Sequence, residues 1–320
     1  TGSSTLSIID GAFYLCSGIN TPVSIPTFVS SIALESFAYT GRFTLNIADR
    51  SSTSVSELQL GNRAFYNSNL VVATIPHKVS IGEETFSRCT KIESINYQGG
   101  DIGDKAFEFC SKLKTFTFTT DSTISSIGDC VFRSTILEGK LALPDSLRTI
   151  GDFAFYGTSI SGDLNLNEVA SVGESAFQGC SGLGTLTATN VVSFGDKAFK
   201  DTEVTGNLVL NKEVVYIGEY SFYKTKITGL KIQNTDNSKS PNIGEFAFAY
   251  CSTPFESIDI SDQITISRYA FAGLTITEDV TIGTTIYQSA INVKAFIDAT
   301  IGQKVSLTRV QIAKDAFLNA

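Results

Sequence analysis

The sequence predicts a repeat solenoid, a chain wound into about 14 coils of about 23 residues each around one continuous core. Three observations carry this. A hexapeptide of the general form Ile-Gly-Asp/Glu-x-Ala-Phe recurs along all 320 residues, ending at Phe13, Phe37, Phe65, Phe86, Phe107, Phe132, Phe155, Phe177, Phe199, Phe222, Phe248, Phe271, Phe296 and Phe317. The intervals between these Phe residues run from 21 to 28 and total 304 over 13 steps, a period typical of stacked-repeat architectures. A segment with apolar residues at alternate positions follows many of the anchors, as in Thr115-Phe116-Thr117-Phe118-Thr119, and such alternation marks a half-buried strand.

Each part of the coil has its own signal. The hexapeptide opens on an apolar residue followed by glycine at Gly61, Gly82, Gly103, Gly128, Gly151, Gly173, Gly195, Gly218 and Gly244. Glycine there suits a tight turn, through positive φ or close backbone approach. Next stands Asp10, Asn62, Glu83, Asp104, Asp129, Asp152, Glu174, Asp196, Glu219 or Glu245, which suits the first turn of a short helix by capping free N–H groups. A strand follows the Phe, and a short apolar pair such as Leu147/Ile150 or Val169/Val172 reads as a return strand. Parallel strands stacked coil on coil make a sheet with one wet face, and neighbouring coils supply the stability that one coil cannot. Two polar insertions, residues 48–54 and 234–241, read as loops extruded from the coil.

With these residues laid out, a family resemblance follows. Ile102-Gly103-Asp104-Lys105-Ala106-Phe107-Glu108-Phe109-Cys110-Ser111-Lys112-Leu113-Lys114-Thr115-Phe116, echoed from Val172 to Leu186, resembles the BspA-like, Treponema-type leucine-rich repeat over essentially the whole chain. The resemblance implies a right-handed superhelix in one leucine-rich-repeat domain spanning 1–320, as part of a longer surface protein of anaerobic bacteria or parasitic protists. It further implies an extracellular or cell-surface location and adhesion to host proteins and cells. The hexapeptides ending at Phe271 and Phe296 lack the glycine and the acid.

Chemistry is sparse. A net charge of −8 and the lack of any run of four basic residues argue against nucleic-acid binding, which requires clustered cations, and no apolar run is long enough to insert into a membrane. Cys16, Cys89, Cys110, Cys180 and Cys251 each lie three residues after an anchor Phe, where other coils carry Thr40, Ser68, Thr135, Thr158, Thr202, Thr225 or Ala299. A position shared by such residues is a small buried packing site, so free thiols are expected, Cys130 included. Cys89 and Cys110, in adjacent coils, are the one pair placed to approach bonding distance. The sole histidine, His77, reads as a surface residue, and no catalytic triad, zinc spacing or phosphate loop is present. No enzyme and no cofactor or metal is expected.

The candidate ligand-binding residues are the outward positions of the strands: Ser94, Asn96, Thr115, Thr117, Thr119, Asp163, Asn165, Asn167, Thr185, Thr187, Thr189, Asn207, Asn211, Ser257 and Asp259. They form a hydroxyl- and amide-rich face without the Trp, Tyr and Arg of protein hot spots. Two functions fit. One is a monomeric adhesion or interaction module for a protein or glycan ligand on a host or neighbouring cell. The other is a spacer that holds a further domain away from the cell surface.

Overall fold

The structure is a computed structural model that describes residues 5–52, 54–119, 121–211, 213–233, 241–261, 263–284 and 287–320. The chain divides into two compact units, Thr1–Ser159 and Ile160–Ala320, and each is a parallel-sheet solenoid with seven anchor turns.

In the first unit one sheet stacks the strands Val23–Ile25, Arg42–Ile47, Asn69–Ile75, Ser94–Tyr97 and Thr115–Phe118 in that order. The return strands Leu6–Ile8, Val29–Ile32, Leu58–Leu60 and Val79–Ile81 form a second sheet, continued by single bridges through Ile102 to Ile127. In the second unit the larger sheet runs through Ser159–Asn165, Gly182–Thr187, Thr205–Asn211, Lys226–Gln233, Ile258–Ile260, Val280–Gly283 and Val305–Thr308. Its return strands include Ser171–Val172, Ser193–Phe194, Tyr216–Ile217 and Asn242–Ile243. Among the described residues every pairing is parallel, as in Leu208↔Leu230 and Ile258↔Val280, so like residues of successive coils lie directly over one another.

That registry builds the core. The twelve anchors from Phe37 to Phe296 are at most 2 % exposed. In the first unit the ring centroids from Phe37 through Phe65, Phe86 and Phe107 are spaced 5.3, 5.2 and 5.2 Å with planes within 10°. In the second, Phe199, Phe222 and Phe248 are spaced 5.3 and 5.2 Å, again within 10°. The spacing follows from the ~4.8 Å separation of hydrogen-bonded neighbours, and strand or return-strand rings such as Phe43, Phe116 and Phe194 pack against the column from the side. Such stacking is worth about 0.5–1.5 kcal/mol per pair beyond area burial.

The short helical turns expected at the hexapeptides are absent: among the described residues no helix occurs. In all fourteen anchor turns the residues two before and two after the Phe adopt left-handed conformations, for example Lys105 (φ 55°) and Phe109 (φ 60°), or Tyr220 (φ 55°) and Lys224 (φ 57°). Such a φ costs a non-glycine residue about 1–2 kcal/mol. The compensation is a backbone that alternates its donors. The amides of Ala106, Glu108 and Cys110 donate within the turn to Gly103, Lys105 and Phe107. The amides of Lys105, Phe107 and Phe109 donate instead to Asp129, Val131 and Arg133 of the next coil, at 2.7, 3.1 and 3.0 Å. A helix would turn all of its amides along its own axis and leave the coils unjoined at this corner. The turns ending at Phe271 and Phe296 keep the same geometry without glycine or acid, with Tyr269 at φ 60° and Lys294 at φ 57°.

The roles assigned to two hexapeptide positions change accordingly. The glycines are needed for close approach: a Cβ on Gly128 would stand 2.5 Å from Asp104 Oδ1 and 2.8 Å from the Asp104 nitrogen. The acids cap the next coil instead of a helix. Asp104 Oδ1 accepts from the Asp129 amide at 2.9 Å, Asp129 Oδ1 from Asp152 at 2.7 Å, and Asp196 Oδ1 from Glu219 at 2.8 Å.

The position three residues after the Phe is polar in function as well as small. Thr135, Thr202 and Thr225 each donate to their own anchor carbonyl at 2.7–2.9 Å, while Cys89 and Cys110 donate across to the preceding coil's Phe65 and Phe86 carbonyls at 3.0 and 3.1 Å. All six cysteines are free thiols, Cys89 and Cys110 included, and only Cys16 is exposed. Burial pushes the Cys89 thiol up to about 12 and the Cys251 thiol up to about 11.

Of the two insertions, residues 234–240 lie outside the described residues. Residues 48–54, Thr53 aside, are held down rather than extruded freely. The guanidinium of Arg50, fully buried, donates to the carbonyls of Ser56, Pro26 and Val29 at 2.8, 3.0 and 2.6 Å. Lys78 Nζ donates to Ser52 and Val55 at 2.7 and 3.2 Å.

Two outcomes follow from this packing. Phe199→Ala, in the middle of a ring stack, is expected to lower unfolding free energy by about 3–5 kcal/mol. Phe13→Ala, at a residue 40 % exposed, is expected to cost about 1–2 kcal/mol, both measured by urea denaturation; equal losses would contradict the ladder. Iodoacetamide at neutral pH is expected to alkylate Cys16 promptly and the other five thiols only on unfolding, with peptide mass mapping as the readout.

Candidate functional site

The outward strand positions are where alternation places them, on the solvent side of the larger sheets. In the first unit Ser94 lies opposite Thr115 and Asn96 opposite Thr117, all four exposed. Thr119, half-buried, closes this row and donates to the Tyr97 carbonyl at 3.5 Å. In the second unit Asn165 lies opposite Thr187, and Asp259 sits between Lys231 and Thr281 in register. Five of the fifteen, Ser94 to Thr119, stand in the first unit and ten in the second.

Several of them are occupied by the scaffold. Asp163 Oδ1 accepts from the Thr185 amide at 2.9 Å and Asn167 Oδ1 from the Thr189 amide at 3.0 Å, each in the next coil. Asn165 Oδ1 accepts from the Asn167 amide at 3.0 Å. Asn211 Nδ2 donates to Asn190 Oδ1 at 2.9 Å, and Asn190 Nδ2 to the Asn167 carbonyl at 2.9 Å, so three coils share an asparagine ladder. Asn207 lies over Gly229, where a Cβ would come within 3.0 Å of its Oδ1. Asp259 pairs with Lys231 at 2.9 Å and accepts from Ser261 at 3.1 Å. The side chains of Ser94, Asn96, Thr115, Thr117, Thr185, Thr187 and Ser257 engage no hydrogen-bond partner among the described residues.

One feature of the face was not legible from alternation. The strands Gly182–Thr187 and Thr205–Asn211 pair only at Thr185↔Thr205, whereas Thr205–Asn211 pairs with Lys226–Gln233 at seven positions. Contact resumes where the Asn211 amide donates to the Thr189 carbonyl at 3.0 Å. The break coincides with Gly206 at φ +101°. Between the strands lies a shallow depression lined by Thr185, Thr187, Thr189, Asn207 and Val209, adjoined by a hollow at Asn190, Asn211 and Glu213. Mixed in polarity, nearly uncharged and open, it presents hydroxyl and amide groups that can hydrogen-bond a ligand. The glycine two residues after a buried apolar position, as in Ile160-Ser161-Gly162 and Val204-Thr205-Gly206, is the sequence signal for such bulges.

A second surface escaped alternation altogether. On the anchor-turn side of the second unit, the rings of Tyr220, Phe246 and Tyr269 stack at 4.8 Å intervals. Tyr223 and Tyr250 stand beside them, 5.9 Å apart edge-on. These occupy positions near the anchor Phe in successive coils, so aligning the hexapeptides by column reveals them.

Other chemistry is absent from the described residues. His77 Nε2 meets Asp121 Oδ2 at 3.1 Å on the surface, where the Asp121 carboxyl is held below the ordinary range chiefly by its hydrogen bond with Thr119. No group of three His, Cys, Asp or Glu could hold a metal ion, and no helix is long and apolar enough to cross a membrane.

Comparison with known proteins agrees with this geometry. The chain shares 22% identity and a TM-score of 0.62 with a leucine-rich repeat protein from Bacteroides ovatus, covering 96% of this chain and 82% of that one. A leucine-rich cell surface protein from Faecalibacterium prausnitzii is 19% identical, with coverages of 94% and 82% and a TM-score of 0.39. The pneumococcal vaccine antigen PcpA is 17% identical, with coverages of 91% and 68% and a TM-score of 0.38. No curated protein matches the chain. The family model for the BspA type leucine rich repeat region matches residues 6–135, 100–228 and 192–320. Parallel coils, a ladder of anchors and a model that matches nearly end to end make this chain a member of the BspA-type leucine-rich repeat family.

Proposed function

We propose that the chain is a non-enzymatic interaction module, secreted or displayed on the cell surface, that adheres to a protein or glycan ligand of a host or neighbouring cell. The observation that carries this reading is the depression beside Gly206. There the sheet opens, and the Thr185 and Thr187 side chains have no internal partner. Polar groups carried on a rigid backbone bind with a smaller ordering cost than those on a mobile loop. Family membership supports an extracellular setting.

A second reading, a spacer that presents another domain, is favoured by the commitment of Asp163, Asn165, Asn167 and Asn211 to internal hydrogen bonds. Those residues stiffen the sheet and leave less of the face for a ligand.

Titration of the labelled chain onto glycan arrays, matrix proteins and cells separates the two. The module reading expects saturable binding with Kd below about 50 µM, weakened at least about fivefold by Thr185→Ala/Thr187→Ala with an unchanged melting temperature. Absence of saturable binding up to that concentration would sink it in favour of the spacer.

A further inference from the structure

A chain of net charge −8 carries a basic corner in its first unit, where the chain passes from anchor turn to sheet strand in the coils anchored by Phe86, Phe107 and Phe132. Residues 87–97, 108–119 and 133–143 hold Arg88, Lys91, Lys112, Lys114, Arg133 and Lys140 against Glu93, Glu108 and Glu138, a net +3. The same stretches of the next three coils, 156–166, 178–189 and 200–211, hold Lys200 against Asp163, Asp201 and Glu203, a net −2. The corner is therefore no property of the repeat. All six of its cations are exposed, and internal pairing satisfies only some of them. Lys114 meets Glu138 at 3.0 Å, and Arg133 meets Glu108 at 3.7 Å. Lys91, Lys112 and Lys140 take part in no ion pair among the described residues. By contrast, two lysines on a strand of the second unit, Lys226 and Lys231, are paired with Glu203 and Asp259.

The repeat sets these charges side by side. Lys91 and Lys112 each stand five residues after their anchor and three before Ser94 and Thr115, which pair in register. They share a column, one coil apart, at a backbone spacing of about 4.8 Å. The Glu138 amide donates to the Lys114 carbonyl at 3.0 Å, which brings the strand Glu138–Lys140 alongside. Like charges on neighbouring strands cost stability, and a polyanion laid across the coils would offset that cost. Beside the lysines runs the row of Ser94, Asn96, Thr115 and Thr117, whose side chains have no internal partner. A ligand that uses both features carries closely spaced anions together with neutral hydrogen-bonding groups. Sulfated polysaccharide has both, as sulfates and ring hydroxyls. Single-stranded nucleic acid instead needs aromatic platforms for its bases. The half-buried Phe109 ring offers a poor one, with the Arg88 Cζ over its face at 4.6 Å from the centroid. We propose that this corner binds a linear sulfated polysaccharide of the heparin type, basic patches being its usual receptors. Lys91, Lys112 and Lys140 pair with sulfates, and Thr115 and Thr117 with ring hydroxyls. The inference is independent of the depression beside Gly206.

Calorimetric titration of the whole chain with a size-defined heparin oligosaccharide tests it. In about 50 mM salt the expected Kd is below about 50 µM, rising at least about tenfold by about 300 mM salt as counterions compete. Lys91→Ala/Lys112→Ala/Lys140→Ala should weaken binding at least about tenfold, and Thr115→Ala/Thr117→Ala about threefold. These five residues are exposed, so circular dichroism and melting temperature should be unchanged. Lys226→Ala/Lys231→Ala and Thr185→Ala/Thr187→Ala should leave heparin binding as it was. Absence of saturable binding in low salt overturns the proposal, as does binding indifferent to the triple lysine variant. Equal affinity for desulfated heparin overturns it too. So does binding of duplex DNA or phosphatidylserine vesicles as tight as that of heparin at the same salt.

Discussion

The hydrogen bonds that join one anchor turn to the next are the constraint on which the rest of this molecule depends. As many as three amides per turn, at the Phe and two residues to either side, leave the coil and find carbonyls in its neighbour, as Lys197, Phe199 and Asp201 do at Glu219, Ser221 and Tyr223. To aim every second amide outward the backbone must take left-handed φ on both sides of the Phe. The strain is repeated in every coil and is met by bonds that only a neighbour can supply. Stability is therefore cooperative along the stack, and no coil is a folding unit by itself.

The other regularities are consequences of that joint. Coils held at strand spacing leave little room for a Cβ beneath the turn, and glycine stands there in nine of the fourteen hexapeptides. The same closeness lets an Asp one residue later reach the amide of the coil beyond. It also sets the Phe rings in a column and brings the Thr hydroxyl or Cys thiol against an anchor carbonyl. Each hexapeptide residue thus serves the contact between coils rather than its own turn.

This explains what the sequence disclosed and what it hid. The period, the Phe ladder, the alternating strands and the return strands follow from burial, and burial shows in a pattern of apolar residues. The turn was misread because Gly-Asp before an apolar pair resembles a helix start equally well. The left-handed positions carry no glycine signature: Glu35, Arg63, Lys105, Phe153 and Tyr220 all adopt them. The outward residues of the sheets were legible from alternation alone. Their internal hydrogen bonds, such as Asp163 to Thr185, were not, because they depend on which side chain leans over the next coil. The opening beside Gly206 arises from a slip in register, and the column at Tyr220 from alignment across coils.

Scaffold and function separate along the same line. Residues that recur in column hold the coils together, and the recognition we propose is assigned to residues that vary, such as the Thr pair beside Gly206. The account rests most heavily on the left-handed turn, and Ser134 isolates it. Ser134 is exposed, has φ of 61° and makes no side-chain hydrogen bond among the described residues. Measured by urea denaturation, Ser134→Gly should stabilise the chain by about 0.5–1 kcal/mol, since glycine occupies this region without steric cost. A loss of about 0.5 kcal/mol or more, as glycine causes inside a helix, would contradict it.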